Sequence, residues 1–312
     1  MKKRYFTIIT LSLVFMMLVA ASGCGVRING KEYEFFNSGS TKKEHSDIFN
    51  AVGPQTTERQ EITQDGLKGD ELVVSTGAGN IDIKEGGSSE IVVIADKKVR
   101  GASEETKKKI LENMIISVED KSGKVELAVK TSEGKSFWDW QKDNYKTYQV
   151  TINYDIELPD SIKEVNLSTG AGNILVEGKA EKVEASTGAG NVDINSMMAR
   201  FKISTGAGNI TIKDSSAKED CELNTGAGNV DFIGDVIEVD NFKASTGMGN
   251  VDFRVPADSK MTLDASTGLG NLSGSFITIS KDSKSHFKGD INGGGSDIIL
   301  STGVGNITAD EN

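Results

Sequence analysis

One hexapeptide, Ser-Thr-Gly-x-Gly-Asn, occurs eight times and constrains the fold of this chain more than any other feature, with Asn in place of the first Ser in one copy. The copies begin at Ser75, Ser168, Ser186, Ser204, Asn224, Ser245, Ser266 and Ser301. From the second copy to the seventh, successive copies start 18, 18, 20, 21 and 21 residues apart. A period of this length is typical of repeat architectures in which each unit packs against the next.

Apolar residues alternate with polar ones on both sides of the hexapeptide. In the third copy, for example, Val183 and Ala185 precede the motif, and Val192 and Ile194 follow it. Alternation with a period of two predicts a strand with one buried face on each side of a glycine turn. The repeating unit is therefore predicted to be strand, turn and strand, without a helix.

Two architectures can be built from this unit. An antiparallel meander places successive turns at opposite ends of a sheet, whereas a β-solenoid stacks each coil about 4.8 Å above the previous one. Only the solenoid gives a reason for identical residues at each turn, so we predict an all-β protein, a parallel β-solenoid (β-helix) of 18–21-residue coils. Its threonines and asparagines would form hydrogen-bonded ladders, and both glycines would supply positive φ.

The repeat is interrupted after its first copy and again before its last. The first insert, about residues 95–160, is predicted to be an α+β cap with a short helix that begins after Ser103 and strands at 124–130 and 148–158. Residues 287–295 resemble a degenerate coil. The β-solenoid domain is predicted to span residues 67–312.

The N-terminus has the pattern of an export signal. Three basic residues are followed by an apolar run over residues 5–21 and by small residues that lead into Cys24. A membrane-spanning anchor is the alternative, but about 17 residues is short for crossing a bilayer. The Ala-Ser-Gly-Cys sequence resembles the lipobox of bacterial lipoproteins, in which the cysteine is acylated, for example with palmitate. We therefore predict a signal peptide at 1–23 and a lipid on Cys24.

Residues 24–66 are predicted to be the lipidated N-terminus and a flexible tether, because most of this segment is polar. The lipid would hold the protein on the cell membrane without crossing it. The predicted location is therefore extracytoplasmic, at the cell surface, with the membrane as a partner through Cys24.

The charge balance of the chain disfavours some classes of partner. The chain holds 46 acidic and 35 basic residues, a net charge of −11. Removal of residues 1–23, which contain three basic and no acidic residues, would change it to −14. Such a surface disfavours nucleic acid and an anionic membrane surface as partners, because both select clustered Lys and Arg. With two cysteines and two histidines, neither a disulfide scaffold nor a zinc site is expected, and no cofactor is predicted.

Both tryptophans of the chain lie in one aromatic stretch of the insert, which is predicted to be a loop. Its candidate binding residues are Trp138, Trp140, Tyr145 and Tyr148. Exposed aromatic rings can stack on sugars or anchor a protein partner. The same rings can instead pack the cap against the first coil, and the sequence leaves both alternatives open.

Carboxylates recur two residues after several of the turn asparagines, and Asp193, Asp231 and Asp252 are weak candidates for calcium ligands. An ordinary solvated surface is the better explanation for them, so no metal site is predicted. No catalytic residue is predicted either, because neither His45 nor His286 has an evident nucleophile beside it. Cys221 takes a position that other copies fill with Val or Phe, which indicates a core residue.

The eight hexapeptides, Ser103-Glu104-Glu105 and the segment 154–159 together resemble a bacterial family of β-strand-repeat proteins of unknown function whose members are regarded as candidate adhesins. The resemblance covers about residues 60–312 and implies a solenoid-like fold at the bacterial surface. The predicted function is a non-catalytic surface lipoprotein, an adhesin or envelope binding module whose macromolecular partner is unknown. The alternatives are an envelope-stress sensor that binds cationic peptides, a polysaccharide-active β-helix enzyme, and self-association through the ends of the solenoid.

Overall fold

The computed structural model describes residues 26–28, 31–33, 55–144, 148–278 and 285–312. The chain divides into two compact units, Met1–Phe49 and Asn50–Asn312. In the first unit, β1 (Val26–Ile28) pairs antiparallel with β2 (Lys31–Tyr33). The predicted signal peptide, Cys24, residues 34–54 of the predicted tether with His45, and Tyr145 lie outside the described residues.

The second unit is built from two sheets, with one strand of each sheet in every coil. Sheet 1 contains the strands that lead into the hexapeptide turns: β4 (Glu71–Thr76), β10 (Glu164–Ala171), β12 (Lys182–Ala189), β14 (Met198–Ala207), β16 (Cys221–Ala227), β18 (Asn241–Met248), β20 (Met261–Leu269) and β23 (Ser296–Val304). Sheet 2 contains the strands that follow them: β5 (Ile81–Glu85), β11 (Ile174–Glu177), β13 (Val192–Asn195), β15 (Ile210–Ala217), β17 (Val230–Val236), β19 (Val251–Val255), β21 (Leu272–Ser273) and β24 (Ile307–Glu311).

The remaining strands lie at the two ends of the stack. They are β3 (Thr56–Gln64), β6 (Ile91–Arg100), β7 (Ile115–Lys121), β8 (Lys124–Lys130), β9 (Gln149–Leu158) and β22 (His286–Ile291). The two helices of the described chain are α1 (Glu104–Glu112) and α2 (Phe137–Asn144).

Equivalent residues of neighbouring coils pair in parallel. Thr169 pairs with Thr187, and Thr187 with Thr205, in sheet 1; Ile174 pairs with Val192 in sheet 2. The fold is therefore all-β and β-solenoid-like, and it stacks the hexapeptides at one corner between the sheets.

The core lies between the two sheets and follows the alternation of the sequence. Val183, Val192 and Ile194 are fully buried, while Glu184 and Asp193, which alternate with them, face outward. Burial of each large aliphatic side chain contributes about 1.5–3 kcal/mol. Farther along the stack, the aromatic rings of Phe232, Phe242 and Phe253 fill the same space, with ring centroids 4.8–5.5 Å apart.

The hexapeptide ladders form, but between other atoms than predicted. Thr205 is buried, and its Oγ1 donates to the carbonyl oxygen of Gly190 in the previous coil at 2.9 Å, rather than to another threonine. The backbone N–H of Asn209 donates to Oδ1 of Asn191 at 2.9 Å. Each side chain therefore satisfies a backbone group of the adjacent coil, which removes the cost of leaving that group unpaired.

The two glycines of the motif serve different purposes, which corrects the prediction that both supply positive φ. Gly190 adopts φ 155°, a conformation that side chains disfavour. Gly188 is needed for space, because a Cβ at that position would lie 2.5 Å from the carbonyl oxygen of Gly170 in the coil below. The coils can stack at hydrogen-bonding distance only where both side chains are absent.

The insert covers the N-terminal end of the stack, as predicted. β9 runs parallel to β5, and β6 and β3 extend sheet 2 antiparallel; β8 and β7 extend sheet 1. Helix α1 begins where predicted, because Ser103 caps it by accepting from the backbone N–H of Thr106.

Strand β3 lies in the segment that was predicted to be tether. Most of its side chains are polar, yet it pairs with β6 along its whole length and supplies two groups that the cap needs. Glu58 binds the buried ammonium of Lys97 at 2.5 Å, and Gln60 bridges to the backbone of Ile116 in β7. Backbone pairing and these two contacts compensate for the missing apolar face.

The C-terminal end departs from sequence order. The last coil, β23 and β24, lies between the coil of β18 and β19 and the coil of β20 and β21. The prediction of a degenerate coil at 287–295 is wrong, since β22 pairs antiparallel with the outer edge of β20. Alternation at Phe287 and Ile291 is equally compatible with an antiparallel edge strand, and the glycines after it reverse the chain.

Candidate functional site

Three of the four predicted aromatic residues lie together at the N-terminal cap. Helix α2 begins with Phe137, which is fully buried. The ring of Trp138 meets Phe137 edge-on at 5.2 Å, and that of Trp140 lies 5.7 Å from it. Trp138, Trp140 and Tyr148 are half-buried against the core, so each ring combines packing with a solvent-accessible part.

Phe137 was not a predicted site residue, although it is the ring on which both tryptophans pack. The available signal was its spacing from Trp140, since residues three apart share a face of a helix. This stretch was predicted to be a loop, which is wrong, since residues 137–144 form helix α2. Because Phe137 is buried and the tryptophans are not fully buried, anchoring and ligand contact can be separated by mutation.

The outward face of sheet 2 carries the row that contains the candidate calcium ligands. From the N-terminal cap the row reads Asp155, Asp82, Leu175, Asp193, Thr211, Asp231, Asp252, Thr308 and Ser273. Asp231 and Asp252 are neighbours as predicted, whereas Thr211 separates Asp193 from Asp231. Asp155 was missed because its strand belongs to the insert and lacks the hexapeptide.

Two pairs of adjacent carboxylates in this row, Asp82 with Asp155 and Asp231 with Asp252, bring like charges close together. Partial burial, with repulsion from Asp155, raises the pKa of Asp82, and partial burial, with repulsion from Asp252, raises the pKa of Asp231. Cations partly compensate: Lys84 lies 3.3 Å from Asp155. Among the described residues, no group of three or more His, Cys, Asp or Glu side chains is arranged to hold a metal ion.

The structure also locates Cys221 and His286, which were considered from the sequence as possible catalytic residues. Cys221 is a buried core residue whose Sγ contacts the backbone N–H of Phe201, and burial raises the pKa of its thiol to about 11. His286 lies on the edge strand β22, with Nε2 3.1 Å from the carboxylate of Asp264, which also accepts from Lys288. Among the described residues, neither helix has the length and apolar composition needed to cross a bilayer.

The stacked coils and the hexapeptide turns between the two sheets define the class of protein. It is an all-β, β-solenoid-like repeat protein in which the recurring hexapeptide has a structural role. The chain belongs to the Toastrack DUF4097 family, which matches residues 69–240. This family agrees with the predicted resemblance to β-strand-repeat proteins of unknown function. No curated protein sequence matches the chain.

Several solved structures are similar at low sequence identity. A "putative cell adhesion protein" from Clostridium sporogenes is 14% identical with a TM-score of 0.36, and the match covers 82% of this chain and 100% of that one. A "putative adhesin" from Bacteroides fragilis is 15% identical with a TM-score of 0.37, covering 82% and 97%. A "putative lipid binding protein" from Parabacteroides distasonis is 13% identical with a TM-score of 0.31, covering 80% and 96%.

Proposed function

We propose that this protein is a non-catalytic binding or adhesion module, carried at the cell surface by a lipid on Cys24 and built on a parallel β-solenoid. The observation that supports a binding role is the aromatic group of helix α2. Trp138 and Trp140 are held by the buried ring of Phe137 but keep part of their surface in solvent. Rigid, partly exposed aromatic rings are the side chains that most often dominate the energy of binding interfaces.

The repeated residues support a scaffold role instead of a catalytic one. The Thr hydroxyl and the Asn side-chain oxygen of the hexapeptide are engaged by backbone groups of adjacent coils, and the glycines are needed for stacking. The recurring polar groups are thereby committed to the fold. The partner is proposed to be a macromolecule of the cell envelope, recognised by side chains outside the hexapeptide.

The experiment compares two variants that separate binding from stability. Trp138→Ala with Trp140→Ala should reduce binding of the purified protein to intact envelopes at least tenfold, with a small change in melting temperature. Phe137→Ala is the matched control, and it should lower the stability by about 3–5 kcal/mol because it empties a core position. If the tryptophan pair destabilises the protein as much as the Phe137 variant does, the rings serve the cap and the proposal fails.

A second candidate function is the capture of cationic peptides at the two carboxylate pairs of sheet 2, Asp82 with Asp155 and Asp231 with Asp252. Each pair places two like charges next to each other on the outward face of sheet 2, where a cationic side chain would relieve the repulsion that adds to partial burial in raising the pKa values of Asp82 and Asp231. Binding of a Lys-rich peptide, measured by calorimetry, should weaken steeply with salt and should weaken again in Asp231→Asn with Asp252→Asn. Salt-independent binding would contradict this second candidate.

A further inference from the structure

One position of the hexapeptide changes character along the stack. The residue between the two glycines is alanine in the five coils nearest the N-terminal cap: Ala78, Ala171, Ala189, Ala207 and Ala227. In the other three coils it is Met248, Val304 and Leu269. All three lie beyond residue 240, outside the segment that matches the family.

The fold brings these three residues into direct succession. Met248 pairs with Val304, and Val304 pairs with Leu269, because the last coil is inserted between the two that precede it in sequence. Their exposed fractions are 41%, 50% and 70%. We call this group the apolar ridge. Glycines flank each of the three along the chain, so the larger side chains protrude from a backbone surface.

Among the described residues, the two rows of sheets 1 and 2 that flank the apolar ridge hold one charged side chain. The adjacent row of sheet 1 is Ser245, Ser301 and Ser266, and the adjacent row of sheet 2 is Asp252, Thr308 and Ser273. The one carboxylate in these two rows is paired with Arg254 at 2.7 Å. In a chain of net charge −11, this end of the corner is therefore suited to an apolar, electrically neutral partner.

The area of the ridge decides which partner fits. Three partly exposed side chains provide at most a few hundred Å² of apolar surface. A stable dimer buries roughly 800 Å² on each partner, so a second copy would not be held by this ridge alone. A lipid bilayer requires no matching surface, since a few protruding aliphatic side chains can enter its interfacial region.

We propose that the apolar ridge of Met248, Val304 and Leu269 inserts into the surface of the lipid bilayer to which the chain is anchored. This proposal deepens the proposed function and rests on its membrane location. An apolar contact with the bilayer at this corner would add to the anchoring that the lipid on Cys24 provides.

The test uses residues 24–312 with Cys24→Ser, so that its result does not depend on acylation. In this background Leu269→Cys carries an environment-sensitive fluorophore, and the buried Cys221 remains unlabelled. Neutral phosphatidylcholine vesicles should shift the emission to shorter wavelength and protect the probe from iodide. The same probe at Ala171→Cys, the equivalent corner position of an alanine coil, is the matched control and should not respond.

A label-free arm compares the unlabelled chain with Met248→Ala, Val304→Ala and Leu269→Ala combined. Because alanine occupies this position in five other coils, the triple variant should keep its melting temperature while its vesicle-bound fraction falls at least threefold. The proposal is overturned if the triple variant binds vesicles as well as its parent. It is also overturned if binding needs anionic lipid and disappears with salt, or if sedimentation shows a ridge-dependent dimer without vesicle binding. Acylation of Cys24, read by mass spectrometry of membrane-extracted protein, tests the anchor separately.

Discussion

The buried threonine of the hexapeptide provides a direct test of how the coils are held together. Replacement of Thr205 by Val keeps the shape of the side chain but removes the hydroxyl that donates to Gly190 at 2.9 Å. The variant leaves the carbonyl oxygen of Gly190 without this donor, which costs about 1–3 kcal/mol. We expect a net loss of about 1–3 kcal/mol in the free energy of unfolding.

This loss corresponds to a decrease of about 2–12 °C in melting temperature, since 1 kcal/mol is worth roughly 2–4 °C in a body of this size. Circular dichroism during heating and urea titration measures it. Ser204→Val is the matched control, because Ser204 lies on the same strand but faces outward, where substitutions usually change stability by less than about 0.5 kcal/mol. Equal melting temperatures for the two valine variants would refute the assigned role of the hydroxyl.

Three further predictions follow from buried or repelling groups. Tyr154 is buried and, among the described residues, its hydroxyl has no hydrogen-bond partner, so Tyr154→Phe should raise the stability by up to about 1–2 kcal/mol in urea titrations; a loss would show that the hydroxyl is satisfied. The pKa of Cys221 is raised by burial from 9.0 to about 11, so its contribution to stability is complete below pH 9 and is lost as the pH rises to about 11. Cys221→Ala should flatten this alkaline decline in melting temperature, and an unchanged decline would exclude the thiol as its cause. Asp231 has a raised pKa, so the folded state binds its proton more tightly than the unfolded state and the ionised form is unfavourable at neutral pH. Asp231→Asn should therefore raise the melting temperature at pH 7 but not below pH 3.8, whereas Asp193→Asn, whose stacked neighbours carry no charge, is the control; a gain that persists in acid would contradict the repulsion from Asp252.

The candidate sites were only partly predictable from the sequence. The grouping of Trp138, Trp140 and Tyr148 followed from their proximity along the chain, but the buried ring of Phe137 that positions the tryptophans did not. Asp155 escaped notice because the strand that places it beside Asp82 has no copy of the hexapeptide. Contacts between distant segments leave no periodic signal, and these contacts decide which side chains become neighbours.

Strand β3 shows that a polar composition does not prevent a segment from forming a strand. Its polar residues predicted a tether, because few of them can enter a core. A strand at the edge of a sheet needs little apolar surface when backbone pairing and specific polar contacts are available. The pairing of Glu58 with the buried Lys97 and the bridge from Gln60 to Ile116 supply those contacts.

The sequence by itself determined the strand-turn-strand unit, the buried face of each strand and the glycine corner, because these follow from alternation and local backbone geometry. Only the tertiary structure decided the order of the coils at the C-terminal end. Nearly identical hexapeptides can stack on one another in any order, so local pattern does not specify which copy lies next to which. Long-range pairing placed the coil that begins at Ser296 between two earlier ones, and thereby created the succession of Met248, Val304 and Leu269.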